Sequence, residues 1–450
     1  MKARSRHITT DAPKELGIAD ALDLERIRES LRANCDFGPN VKLDEVTLER
    51  LWAGRRGRVT MEFALTLSVA GVKTRQLLQA GYDGAVVGKA SKEAAIPQDR
   101  WIDNVSLSAP ELGLTFVSPA RDATLASPRD VACSVASQLN GGRLGVDIHD
   151  ETESADEFDL VSYRVNKRFV IRTRSFDRRG NRTFIKALRR PVLYEALQFW
   201  QRAARRISSC TSGRVGFPRI IAVDPNRRWY AIEGKENGAR CFDYAERDCF
   251  EAARLLTTIH QLPPCPIREH SVFDEIEILN RWMPVMHALG RSDAELMGQV
   301  VADLATCADR LDPAPKVLVH RDFHASQLLA EGERTWLLDY DTFAAGDPEV
   351  DVATYVAHWA LDRVVAGDSP SRVADGLPAF VESYQSMGGS IDAEYLRLYV
   401  ASALARMAVI HGFRKLDEAQ VASIWAIVLN VVQERESRLP DARFRRRLAI

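Results

Sequence analysis

Three short apolar runs separated by polar loops constrain this chain more than any other feature. Lys316-Val-Leu-Val319, Leu328-Leu329 and Trp336-Leu-Leu338 are too short for helices and read as buried strands. The first loop is His320-Arg-Asp-Phe-His-Ala-Ser-Gln327, and the third run opens into Asp339-Tyr-Asp-Thr-Phe-Ala-Ala-Gly346-Asp347-Pro348. Strands on both sides pin the first loop, so Asp322 and Asp339 are expected on neighbouring strand ends. Asp322 stands where a loop carboxylate accepts a hydroxyl proton, and a hairpin returns Asp339 beside it. Gln327 adds an amide oxygen. A metal-bound nucleotide needs these parts, because phosphoryl transfer requires mainly positioning and neutralisation of charge through hard oxygen ligands.

The ordered set His320, Asp322, His324, Asp339, Gly346, Asp347, Pro348 and Asp351 resembles the aminoglycoside phosphotransferase and choline kinase group of small-molecule kinases. That family carries His-x-Asp-x-His-x-x-Asn, then an Ile-Asp-Trp-like segment, then Gly-Asp-Pro-x-x-Asp-Leu-Ala. The resemblance implies an α+β, two-lobed protein-kinase-like fold with a small antiparallel-sheet lobe and a larger helical lobe. It further implies Asp322 as base, Asp339 as the main Mg²⁺ ligand and position 327 as the second. Asp351 would open a helix and brace the loop. One residue departs: the family's Asn is Gln327, which carries its amide oxygen one methylene further out, and Mg²⁺ tolerates little departure from octahedral geometry. A lone His-x-Asp or Gly-Asp-Pro is merely a turn; order and spacing together carry the reading.

Upstream, Phe184-Ile-Lys186-Ala-Leu places one lysine inside an apolar strand, which makes Lys186 the candidate phosphate clamp. The helical pattern that starts near Pro191 offers Glu195 as its ion-pair partner. Against this, an edge-strand lysine and a solvated helix acid are common on their own. Leu160–Tyr163 and Arg168–Thr173 read as strands around a basic turn that would roof the nucleotide, with Val165 and Asn166 where the family often has Gly. Arg178-Arg-Gly-Asn181 reads as the next turn. Trp229–Glu233 reads as a strand, and Ile232, Glu233 and Gly234, as far as Lys235, as the backbone that holds adenine, or else as an ordinary hairpin.

Past Tyr244 the periodicity turns helical. Ala252–Pro263, Ser271–Leu289, Ala294–Leu311, Leu377–Tyr384, Glu394–His411 and Glu418–Val432 build the larger lobe, with helix also continuing after Asp351. His260 reads as a core histidine without chemistry. Acids in the last helices are scattered and matched by arginines, which speaks against a polycationic acceptor and is compatible with a neutral hydroxylated one. The run Arg443–Arg447 reads as a solvated terminus.

With 61 basic and 62 acidic residues the formal net charge is −1, which gives no reason to expect nucleic acid as a partner. Seven cysteines without metal-ligand spacing fit reduced thiols, and no apolar run approaches membrane-spanning length. The start, Met1-Lys-Ala-Arg-Ser-Arg-His7, lacks a following apolar region, so the cytoplasm is the expected location.

At 450 residues the chain has room for two or three domains. The expected division is 1–150 as an N-terminal α+β domain, 151–237 as the small lobe and 238–450 as the helical lobe. In the first, Pro13–Cys35 reads as a helix and Val46–Leu51 and Val59–Leu67 as strands. Trp52–Val59 loosely echoes Tyr163–Val170, either as a duplicated small-lobe unit or by chance, the latter preferred. Gly84–Ser91 is rejected as a phosphate loop because positions 83 and 90 are wrong for one. The acidic run Asp147–Asp159 reads as a linker. The function expected is ATP- or GTP-dependent, Mg²⁺-dependent transfer to a small hydroxylated molecule. The alternative is a nucleotide-binding pseudokinase or scaffold without turnover. Oligomeric state is left open.

Overall fold

The computed structural model describes residues 18, 20–35, 37, 40–54, 58–69, 71–82, 106–109, 112–139, 158–174, 181–189, 194–235, 239–376, 378–413 and 416–433. The Gly84–Ser91 segment, Arg443–Arg447 and nearly all of the 147–159 linker lie outside them, as does most of the 178–181 turn. Among the described residues, no helix is long and apolar enough to cross a membrane.

The N-terminal part opens with helix α1 (Leu24–Asn34), started by Asp23, whose carboxylate accepts from the N–H groups of Glu25 and Arg26. Strands β1 (Val41–Ala53), β2 (Val59–Val69), β3 (Val72–Tyr82), β4 (Ser106–Ala109) and β5 (Leu114–Val117) form an antiparallel sheet in the order β1-β2-β3-β5-β4. Strand periodicity divides β2 between two cores. Met61, Phe63, Leu65 and Leu67 face α1, whereas Ala64 joins a second apolar cluster on the opposite face.

That second cluster is where the next sheet stacks. Strands β6 (Phe158–Arg164), β7 (Arg168–Thr173) and β8 (Thr183–Leu188) are followed by helix α3 (Tyr194–Cys210), the short β9 (Val215–Gly216), β10 (Ile220–Asp224) and β11 (Trp229–Glu233). The sheet order is β10-β11-β8-β7-β6. Phe169, Ile171, Ile185, Ala187 and Trp229 pack against Ala64, Leu77 and helix α2 (Pro128–Leu139). Because Ile185 and Ala187 point to this interface, period two sends Lys186 to the other face.

The helical part begins with β12 (Arg240–Cys241) and helices α4 (Glu246–His260), α5 (Val272–Ala288) and α6 (Ala294–Ala308). Strand β13 (Val317–Val319), the hairpin β14 (Leu328–Glu331) to β15 (Arg334–Leu337), and β16 (Ala344–Gly346) then frame the polar loops. Helices α7 (Glu349–Val365), α8 (Pro370–Gly376), α9 (Pro378–Ser386), α10 (Ala393–Gly412) and α11 (Glu418–Gln433) complete the chain. Helix α10 is buried along nearly its whole length, as expected for a central helix that is apolar all round.

The two sheets are also joined by polar bonds. Gln79 of β3, 1% exposed, donates to the Tyr163 carbonyl at 2.5 Å and accepts from the Val165 N–H at 2.9 Å. Asp122 accepts from the Tyr163 hydroxyl at 2.9 Å and the Asn166 N–H at 2.7 Å. The Arg164 guanidinium lies 5.2 Å over the Trp52 ring. Removing Gln79 strands a buried amide and a carbonyl, each costing about 1–3 kcal/mol. Gln79→Ala is therefore expected to lower unfolding stability by about 3 kcal/mol. Denaturant titration checks this, and a loss under about 1 kcal/mol would contradict the stacking argument.

Candidate functional site

The loop between β13 and β14 is held from behind. Asp351, in the first turn of α7 and 0% exposed, accepts from the N–H of His320 at 2.6 Å and of Arg321 at 2.5 Å. His260 Nε2 lies 3.1 Å from the same carboxylate, and its Nδ1 lies 2.7 Å from the Tyr384 hydroxyl. Burial alone would raise the Asp351 carboxyl, but the His260 bond and the neighbouring imidazoles and amides outweigh it and hold the group below the usual range. Arg321 has φ 72°, a left-handed conformation that a long side chain rarely adopts.

This bracing leaves Asp322 forward, its side chain 48% exposed. Gln327 Nε2 lies 3.5 Å from Asp322 Oδ2, too long for a firm bond. His324 Nε2 lies 4.0 Å from Asp322 Oδ1, and its ring stacks on His358 of α7 at 4.1 Å. Ligating atoms of Asp322, His324 and His358 all lie within 4.8 Å of one another. Burial depresses both imidazoles.

Asp339 is stitched to the same loop. The Leu338 N–H donates to the Gln327 carbonyl at 2.9 Å, and His320 Nε2 lies 2.9 Å from the Leu338 carbonyl. Asp339 itself has φ 48°. Its carboxylate meets Lys186 Nζ at 2.5 Å, and Asp341 meets the same ammonium at 3.1 Å. The Tyr230 hydroxyl, on the residue paired with Lys186 across the sheet, donates to Asp341 at 2.8 Å. Burial would lower the Lys186 ammonium, yet Asp341 and Asp339 overcompensate and raise it. Likewise burial would raise Asp339, and Lys186 pulls it below its ordinary value.

The sequence expectation of Glu195 as the lysine's partner needs correction. Helix α3 turns Ala196, Leu197 and Trp200 into the core, and Glu195, one position earlier, stands exposed in its first turn. Asp341 does the pairing instead. The signal was present in Asp339-Tyr-Asp341, where a second acid follows the first by two residues. His358 had no such signal, since only the fold brings α7 against the loop.

The hinge expectation also changes. Ile232 lies inside the sheet between Ile220 and Phe184, so its backbone belongs to the strand ladder. The N–H groups of Glu233 and Gly234 donate to the carbonyls of Arg219 at 2.9 Å and Arg182 at 2.7 Å. A Cβ on Gly234 would come within 2.6 Å of that Arg182 oxygen, which explains the glycine. Base-binding groups on this edge would therefore start at the Gly234 carbonyl and Lys235.

At the β6–β7 turn, Asn166 takes the φ of 55° that glycine usually supplies. The adjacent amides that a glycine loop would offer to phosphate are engaged by Gln79 and Asp122.

The donor types suit a hard divalent cation: Asp339 and Asp341 face one ammonium, and the Gln327 side chain on the adjoining loop carries a further amide oxygen. Residues 166–398, more than half the chain, match the phosphotransferase enzyme family. The chain belongs to that family. No curated protein matches it. Among solved structures it is similar to a spectinomycin phosphotransferase in complex with ADP and spectinomycin, at 14% identity and TM-score 0.42, over 66% of this chain and 96% of that one. A choline kinase from Streptococcus pneumoniae follows at 12% and 0.43, over 67% and 99% of the respective chains. A choline/ethanolamine kinase family protein from Mesorhizobium loti follows at 16% and 0.40, over 68% and 96%. Likenesses this remote do not bear on what this phosphotransferase-family chain acts on.

A second buried acid lies on α5, within electrostatic reach of Arg321. Glu275 meets His270 Nε2 and an Arg406 nitrogen, each at 2.8 Å. Burial raises this carboxyl, but Arg406 and His270 outweigh it and hold it at about 2, below the ordinary 4.5. A depressed acid contributes stability above its unfolded pKa and loses it as pH falls through the folded one. Stability is thus expected to drop between about pH 4.5 and about 2, and Glu275→Gln to flatten that part of the curve. Unfolding free energies measured across this range test the assignment, and an unchanged slope in the variant contradicts it.

Proposed function

We propose that this protein transfers the γ-phosphoryl group of ATP or GTP to a hydroxyl of a small molecule, with Mg²⁺ as cofactor. The observation that carries the reading is the shared ammonium: Lys186 meets both Asp339 and Asp341, and Asp339 is stitched to the loop that presents Asp322. One lysine against two carboxylates leaves a net negative centre, which repels a triphosphate until a divalent cation reverses the sign.

Asp339, with the Gln327 amide oxygen and Asp341 as further donors, would hold the cation. Bound there, Mg²⁺ neutralises charge that spreads over the phosphoryl oxygens. Lys186 then contacts nucleotide phosphates. Asp322, exposed and fixed by its neighbours' amides, accepts the proton as the acceptor oxygen bonds to phosphorus and the bond to the leaving nucleoside diphosphate breaks.

Asp322→Ala is expected to lower kcat by about 10²–10⁴-fold with nucleotide affinity little changed. Gln327→Asn should preserve or raise turnover, since it brings the amide oxygen one methylene closer to the backbone. The assay is coupled nucleoside diphosphate release with a panel of sugars, amino alcohols and aminoglycosides. Undiminished turnover in Asp322→Ala removes the base, and nucleotide binding without transfer to any acceptor favours the scaffold reading.

A further inference from the structure

A cavity of about 560 Å³ has Asp341 on its wall but not Lys186. The β6–β7 turn, the end of β8, α3, the Cys265–Arg268 segment and Asp341–Phe343 enclose it. Its charge is one-sided. Lys167, Arg168, Arg189 and Arg268 line it, and the only acid on its wall among the described residues is Asp341, already engaged by Lys186 and Tyr230.

Behind the wall lies Arg321, next in sequence to Asp322. Its Nε is buried without a partner, and after burial the charge of Arg268 is the largest influence that lowers its pKa. The acids whose charge reaches Arg321 are spoken for, Glu275 by His270 and Arg406 and Asp274 by the Ser271 cap. Among the described residues, Lys167, Arg168, Arg268 and Arg321 have no ion-pair partner. Lys167 stands exposed at the rim, yet partial loss of hydration, then Arg164, Arg168, Arg281 and Arg321, push its ammonium down to about 7. Gathering like charges without acids destabilises the free protein, and an anionic ligand relieves the repulsion. The other wall residues include Leu188, Ala196, Trp200 and Phe343, so the space also accommodates a carbon body.

We propose that this cavity binds a phosphoryl or carboxylate group on the acceptor, so that the substrate is an anionic hydroxylated small molecule rather than an amine. The inference rests on the phosphotransferase reading and narrows it. Lys186, which would gather the triphosphate, is not on the cavity's wall, so the cavity's cations are available for a second anion.

Calorimetric titrations of the full chain test this. The first uses a non-hydrolysable ATP analogue with Mg²⁺; the second and third add inorganic phosphate and acetate to nucleotide-saturated protein. We expect phosphate or acetate to bind alongside the nucleotide, the stronger of the two identifying the acceptor's group. Arg268→Ala should weaken that anion at least tenfold, and Arg268→Lys should restore most of the affinity, which a merely unfolded variant would not. Anion binding that vanishes once nucleotide is bound assigns the cavity to the triphosphate and overturns the inference alone. So does the absence of any anion binding to protein that takes up nucleotide normally. Failure of the first titration removes the phosphotransferase reading, and this inference with it.

Discussion

The buried carboxylate of Asp351 is the interaction on which the site depends. Two consecutive loop amides and one imidazole converge on it from different parts of the chain, so α4, α7 and the β13 loop can occupy only one relative arrangement. Arg321 at φ 72° carries backbone strain of roughly 1–3 kcal/mol. Charge-assisted bonds of about 1.5–3 kcal/mol each offset that strain and fix the next residue's direction. Asp322 can therefore be exposed without being loose. Tyr384 of α9 extends the same chain of bonds through His260, so the order of the loop is coupled to packing in the last third of the molecule.

A different constraint governs Lys186. An ammonium 6% exposed cannot remain charged unless acids accompany it, and here two do. On the proposed reading, the phosphates of a bound nucleotide would supply the negative charge that Asp339 and Asp341 supply without it. On the proposed reading the lysine exchanges partners, and the carboxylates become free to act as oxygen donors. The hydroxyl of Tyr230 continues to donate to Asp341 and limits how far that acid can swing.

What was legible in the sequence was local. The strands around residues 316–338 follow from short apolar runs between polar loops, and the helices past Tyr244 follow from spacing three and four apart. The places of Asp322 on a loop, Asp339 at a strand end and Lys186 inside a strand were legible because a motif or an apolar run marked them. Glu195 was misread because a helical pattern fixes which residues share a face but not which way that face turns, and here it buries Ala196 and leaves the acid outside. Ile232 and Glu233 were misread because the strand runs through both, past the point where a hinge was expected. Gln79 and Val165 are 86 residues apart, and His260 and Asp351 are 91 apart; no local rule predicts such pairs.

Contacts with the N-terminal part change what a turn without glycine can offer an anion. A glycine loop offers backbone amides directly to an anion. Here the side-chain amide oxygen of Gln79 and the carboxylate of Asp122 already accept from the Val165 and Asn166 N–H groups, as a bound anion would. The turn is thereby fixed in advance, and what it can still offer is the side-chain charge of Lys167 and Arg168. Exposed point charges attract over longer distances than amides, but salt screens them, with a Debye length near 8 Å at physiological ionic strength. On the proposed reading, the turn offers cations to the acceptor's anion in place of amides to the nucleotide, and Gln79 and Asp122 hold it in position.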